Sequence, residues 1–175
     1  MSRNSLVFKW GLIGGMVSII IGILAYLLNL QDSKMIQYLS VLIMLACVVF
    51  SHFEFRDKLN NGRATFGELF RVGFLVSLVI ALISMIWFYI FVNFIDTDLV
   101  FRTLNKAEAD MVARELSAAE VEKAMEITKK FVTPIYMTLI GFFYTAILGL
   151  IVTLVSALVV KNEIQEPLEL NETEN

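Results

Sequence analysis

The chain has 175 residues, of which 58% are hydrophobic and 18% charged, with a formal net charge of -3 and a mean hydropathy of +0.74. This composition lies outside the soluble globular range and describes a one-domain membrane protein, with too few residues outside its apolar runs to build a separate soluble catalytic domain. The acidic balance is local, since Glu163, Glu166, Glu169, Glu172 and Glu174 all follow Lys161, and the remaining Lys and Arg are scattered rather than gathered into a face that would bind nucleic acid.

Four uncharged runs, residues 10–30, 35–53, 72–95 and 131–160, follow in order. At the rise of an α-helix they reach about 32, 29, 36 and 45 Å, against a hydrocarbon core of roughly 30 Å, so each is long enough to cross a bilayer. The first run is too long for a signal-peptide core and has no Ala-x-Ala site after it, so it is expected to remain as a span. Gln31-Asp32-Ser33-Lys34 is short enough only to join antiparallel neighbours, which makes the first two spans a hairpin.

Between the second and third runs, Asn60-Asn61-Gly62 is a turn signal, and Thr65-Phe66-Gly67-Glu68 has the pattern of a capping box. The third span should therefore begin near Phe66, with Phe66, Leu69 and Phe70 at headgroup level and Arg71 reaching toward phosphate. The gap before the fourth span reads as a helical insert over about 105–132. Asn105-Lys106-Ala107-Glu108 and Ser117-Ala118-Ala119-Glu120 each resemble a helix start, with two short helices meeting near Leu116. Val121, Ala124, Met125, Thr128 and Val132 form an apolar stripe, expected to rest on the bundle or on lipid. Thr133-Pro134 supplies a cap and first-turn proline for the fourth span, or a kink in a continuous helix.

The expected architecture is all-α: a polytopic transmembrane four-helix bundle, spans about 10–30, 35–53, 70–95 and 134–160, with a short extramembrane helical insert between the third and fourth. Residues 1–162 form the membrane domain and 163–175 an acidic, disordered tail. Lys and Arg total seven on each face. The short loop between spans two and three nevertheless carries Arg56, Lys58, Arg63 and Arg71 against Lys34 alone in the first loop, which favours cytoplasmic termini and a patch for anionic lipid headgroups.

Helix packing is written in small residues every fourth position. Gly141, Thr145, Gly149, Thr153 and Ala157 form a ridge on the fourth span; Gly73, Ser77 and Ala81 form one on the third. Gly14, Ser18 and Gly22 do so on the first, with Gly11 and Gly15 as a separate pair. Such ridges let backbones approach closely, here within the chain in preference to a homo-oligomer or membrane-protein partner. Leu148, beside the fourth ridge, is expected to face lipid or a tolerant neighbour.

No Asp, Glu, Lys or Arg lies inside the four runs, which argues against proton-coupled transport and voltage sensing. His52, Glu54 and Arg56 could form a metal or acid/base cluster, but a lone interfacial histidine beside a charged loop is more often solvated. Asp96-Thr97-Asp98 is read as a turn rather than a calcium site. Cys47, in the middle of an apolar run, is read as a small hydrophobe. No catalytic residue, metal or cofactor is expected.

These features are similar to the bacterial membrane proteins grouped as domain of unknown function 4199. The resemblance covers most of the chain. It rests on Trp10-Gly11-Leu12-Ile13-Gly14-Gly15, on Asn61 to Glu68 followed by Val72-Gly73-Phe74, on Phe94-Ile95-Asp96, and on the helical insert. Thr97 stands where members often carry a proline. The resemblance implies an integral inner-membrane protein and no assigned activity. The expected function is a non-enzymatic scaffold, assembly or regulatory subunit; the alternative is a small-molecule or ion permease acting as an oligomer.

Overall fold

The computed structural model describes residues 2–30 and 33–162. Six α-helices follow in order: α1 (Arg3–Leu27), α2 (Lys34–Glu54), α3 (Phe66–Ile90), α4 (Leu99–Ala113), α5 (Ala118–Phe131) and α6 (Pro134–Val160). Two widen into π-helical turns at their ends, α2 over Phe55–Leu59 and α3 over Phe91–Ile95. The tail at 163–175, and the Gln31-Asp32 part of the first loop, lie outside the described residues.

The four long helices have mean hydropathies of 2.0 to 2.6 over their most apolar stretches, of which only 22 to 28% of residues are buried inside the protein. Large apolar side chains such as Leu12, Phe50, Ile86, Phe143 and Val159 therefore point outward. In water such a surface would drive aggregation; against hydrocarbon it is at equilibrium with its solvent. The chain is a multi-pass membrane protein.

Within the bundle α2 and α3 are the inner pair, with α1 packed on one side of them and α6 on the other. The end holding the start of α1, the α2–α3 loop and the end of α6 is called here the basal end. The opposite end, carrying α4 and α5, is the arm end.

Each boundary has a local cause. Ser2 caps α1 by accepting from the Ser5 amide at 3.2 Å. Thr65 and Glu68 close the capping box expected at the start of α3, the Glu68 amide donating to Thr65 Oγ1 at 3.3 Å and the Thr65 amide to Glu68 at 2.9 Å. Asn61 and Gly62 take positive φ values of 53° and 81°, so the Asn-Gly signal is a left-handed turn that few other residues would accept. A second full capping box, Ser117 with Glu120, starts α5. Pro134 occupies the first turn of α6, so the break before the fourth span is real and α5 does not run into it.

Several expectations need correction. The second span runs on to Leu59 through the π turn, six residues beyond the apolar run, because π-helical hydrogen bonding carries the backbone past Glu54. The insert starts at Leu99, not near Asn105. The turn expected at Asp96-Thr97-Asp98 leads straight into it, with the Leu99 amide donating to the Asp96 carbonyl at 3.2 Å and the Arg102 amide to that of Asp98 at 2.9 Å. Leu69, in the first turn of α3, is fully buried in the core rather than turned to the surface. The Val121 and Met125 stripe is covered by α4 rather than by the bundle: both residues are buried and share a cleft with Val112 and Leu116.

Candidate functional site

Two layers of polar residues sit inside an apolar molecule, and they differ in packing. The basal layer is dense. Gly149 faces Ser77 so closely that a Cβ there would collide with the Ser77 side chain, and the Ser77 hydroxyl reaches the Gly149 carbonyl at 3.4 Å and Thr153 Oγ1 at 3.5 Å. Gly73 faces the His52 ring and Thr153, so a Cβ would again collide. Ala157 is fully buried beside them. The third and fourth ridges thus meet each other over Gly73, Ser77, Gly149, Thr153 and Ala157.

His52 belongs to this layer, which corrects the reading of a solvated interfacial residue. Because α2 and its π turn continue to Leu59, His52 is two turns inside the helix end and fully buried. Its Nδ1 lies 2.8 Å from Ser156 Oγ on α6. Its Nε2 lies against Gly73 and has no hydrogen-bond partner among the described residues. The cluster imagined with Glu54 and Arg56 does not form, because helical rotation sends the three side chains to different neighbours. Glu54 faces α1, accepting from Lys9 Nζ at 2.7 Å and Trp10 Nε1 at 2.7 Å, and from Lys58 at 3.1 Å. Arg56 bonds Asp57 at 2.7 Å and the Val160 carbonyl at 3.3 Å.

The arm-end layer is open. A cavity of about 380 Å³ lies among α1, α2, α3 and α6, with Gly22, Ala81, Trp87, Phe91 and Gly141 in its wall. A second, of about 490 Å³, adjoins it. Ser18, Ser40, Ser84 and Thr145 line both, one hydroxyl from each long helix. Three of them donate to the carbonyl four residues back: Ser18 to Gly14 at 2.8 Å, Ser40 to Ile36 at 3.1 Å and Thr145 to Gly141 at 2.9 Å. Their lone pairs remain available to the cavity, which is therefore apolar with a ring of hydrogen-bond acceptors, the make-up of a site for a neutral amphiphile.

The residues read as one ridge on the fourth span therefore part company. Gly149, Thr153 and Ala157 are closely packed, Gly149 under the Ser77 side chain, whereas Gly141 has nothing within 4 Å of its would-be Cβ, and Thr145 lines the cavity. The expectation of a continuous contact fails there because both residues border the cavity between the helices. On the first span, a Cβ at Gly14 would collide with the Ile80 side chain, while one at Gly22 would meet only Trp87 Nε1, at 3.5 Å, and Ser18 faces the cavities. Gly11 and Gly15, taken as a separate pair, contact Val79 and Ile83 on the same helix α3. Leu148 is half-buried against the core, not turned to lipid.

The four basic residues of the α2–α3 region also divide. Arg56 and Lys58 are engaged as described; Arg63 and Arg71 are exposed with no side-chain partner among the described residues. At the arm end, buried Asp96 pairs with exposed Arg102, and the carboxylate holds the guanidinium firmly in its charged form. Among the described residues no three His, Cys, Asp or Glu gather as metal ligands. Sequence reasoning missed Ser40 and Ser84, whose only signal is a small hydroxyl within an apolar run, and Ser156, one position from the fourth ridge.

No curated protein and no solved structure matches the chain. The family described as "Protein of unknown function (DUF4199)" matches residues 9–162, and the chain belongs to that family.

Proposed function

We propose that the protein is a non-enzymatic scaffold, assembly or regulatory subunit of a bacterial cytoplasmic membrane, with both termini cytoplasmic and the α4–α5 arm outside. The observation that carries this reading is the arm itself. α4 and α5 pack chiefly on each other and scarcely touch the bundle, and they present Phe101, Val112 and Ile127 to solvent. An amphipathic hairpin held clear of its own domain is built to meet a membrane-protein partner or a second copy. The full-length protein, purified from native membranes, should carry a stoichiometric partner that is lost when Phe101, Val112 and Ile127 are changed to Gln. Retention of the partner by that variant, or self-sealing of the arm onto the bundle, would remove the reading. Reporters active only outside the cytoplasm should work within residues 106–123 and be silent after Asn175; the opposite result reverses the orientation.

A permease acting as an oligomer is the second reading, favoured by the four-hydroxyl cavity. The dense basal layer closes that cavity at one end, so transport would require α3 and α6 to part at Ser77 and Gly149. Flux of a small solute in liposomes reconstituted with the full chain, without a co-purifying partner, would transfer the assignment to it.

A further inference from the structure

The two helices that start at the basal end, α1 and α3, open onto one cleft of about 780 Å³ lined by Ser2, Arg3, Asn4, Gly67, Glu68 and Arg71, among others. Its two guanidinium groups come from different helices. Neither Arg3 nor Arg71 has a carboxylate or carbonyl partner among the described residues. This is unlike Lys9, Arg56, Lys58 and Arg102, each of which holds a carboxylate.

Glu68 is the acid that would be expected to neutralise Arg71 three residues on, and it does not. Its carboxylate is committed to the capping box, accepting from the Thr65 amide at 2.9 Å and Thr65 Oγ1 at 3.0 Å, and from Asn60 Nδ2 at 3.2 Å. Gly67 leaves open space within the cleft, with nothing within 4 Å of a would-be Cβ. Two unpaired arginines and an empty wall, at the level where a spanning helix leaves the hydrocarbon, form a receptor for one kind of chemistry.

We infer that the Arg3–Arg71 cleft binds a phosphate group, its two guanidinium forks gripping the anionic oxygens from α1 and α3 together. A phospholipid headgroup and free phosphate share that chemistry, and the test separates them. The site does not depend on the partner-binding reading above, because it uses neither the arm nor the cavity.

The full-length protein is examined by native mass spectrometry after mixing with phosphatidic acid, phosphatidylcholine or inorganic phosphate. The wild type should retain phosphatidic acid over phosphatidylcholine. Each of Arg3→Gln and Arg71→Gln should weaken that retention by about fivefold, and the pair by about thirtyfold. Arg63→Gln, which removes an unpaired arginine outside the cleft, should change nothing. Gly67→Asp places a carboxylate in the open space at a helix start that tolerates it, so it should abolish retention while thermal stability stays at the wild-type value. Displacement of phosphatidic acid by millimolar inorganic phosphate would assign the cleft to free phosphate; persistence would assign it to the lipid headgroup. Equal retention by the wild type and the double variant, or equal loss in Arg63→Gln, would overturn the site.

Discussion

The basal and arm-end halves of the bundle are made from the same kinds of residue and behave in opposite ways. Both contain glycines at four-residue spacing and hydroxyls on facing helices. In the basal half, Gly73 and Gly149 are covered by His52 and Ser77; in the arm-end half, Gly141 faces empty space and the hydroxyls of Ser18, Ser40, Ser84 and Thr145 surround a cavity. A small residue permits close approach without compelling it. In the basal half the approach is accompanied by a buried polar contact between helices, the imidazole of His52 with Ser156.

The contrast is sharpest for one substitution made in both halves. Gly149→Ala drives a methyl group into Ser77 and should cost about 1 to 3 kcal/mol, seen as a lower melting temperature in detergent, while Gly141→Ala should leave it unchanged. Equal losses would mean that the halves do not differ in packing. The next effect is smaller. Ser156→Ala strands His52 Nδ1 without a partner in a buried site and should cost about 1 kcal/mol. Ser84→Ala, at a half-buried hydroxyl in the cavity wall, should cost little, so a large loss there would show that the cavity is a packed interface. Below these stands Arg102→Gln, which leaves buried Asp96 without its cation. Because Arg102 is half exposed, the bundle's melting should move only slightly, whereas amide exchange near Leu99 should accelerate.

The smallest effect lies outside both halves. Hydrogen bonds from the Ser117 side chain and backbone hold the Glu120 carboxyl below its ordinary value of 4.5. A carboxyl depressed on folding contributes stability that is full above its unfolded value and is lost as pH falls through its lower folded value. Acidification below about pH 4 should therefore fray the first turn of α5, measured by amide exchange at Val121, before the bundle responds. Glu120→Gln should remove that pH dependence.

The membrane class, the four spans and the α3 capping box were legible because each rests on local pattern: apolar length in one case, Thr65 and Glu68 three residues apart in the other. The depth of His52 was not legible. It depends on a π turn that carries α2 through Arg56, Asp57 and Lys58, and charged residues in an apolar count mark an end rather than a continuation. The cavity was hidden for a related reason. Periodicity places Gly141 and Gly149 on one face of α6 but carries no information on how far α3 stands from each. The turn at Asp96-Thr97-Asp98 was legible, but the start of α4 directly after it was misplaced because Asn105-Lys106-Ala107-Glu108 imitates a cap.

The basal fastening also fixes an order of events during synthesis. Asn162 donates through its side chain to the Gly62 carbonyl, a hundred residues earlier, and exchanges backbone hydrogen bonds with Ala64 at 3.1 and 3.4 Å. His52 waits for Ser156 across a gap of 104 residues. At typical elongation rates such a gap corresponds to about 5 to 20 s. Throughout that interval the first three spans are already made, with an unpartnered imidazole and an unfastened loop at their basal end. Both contacts are completed only once α6 and Asn162 have been made and have packed against the first three spans.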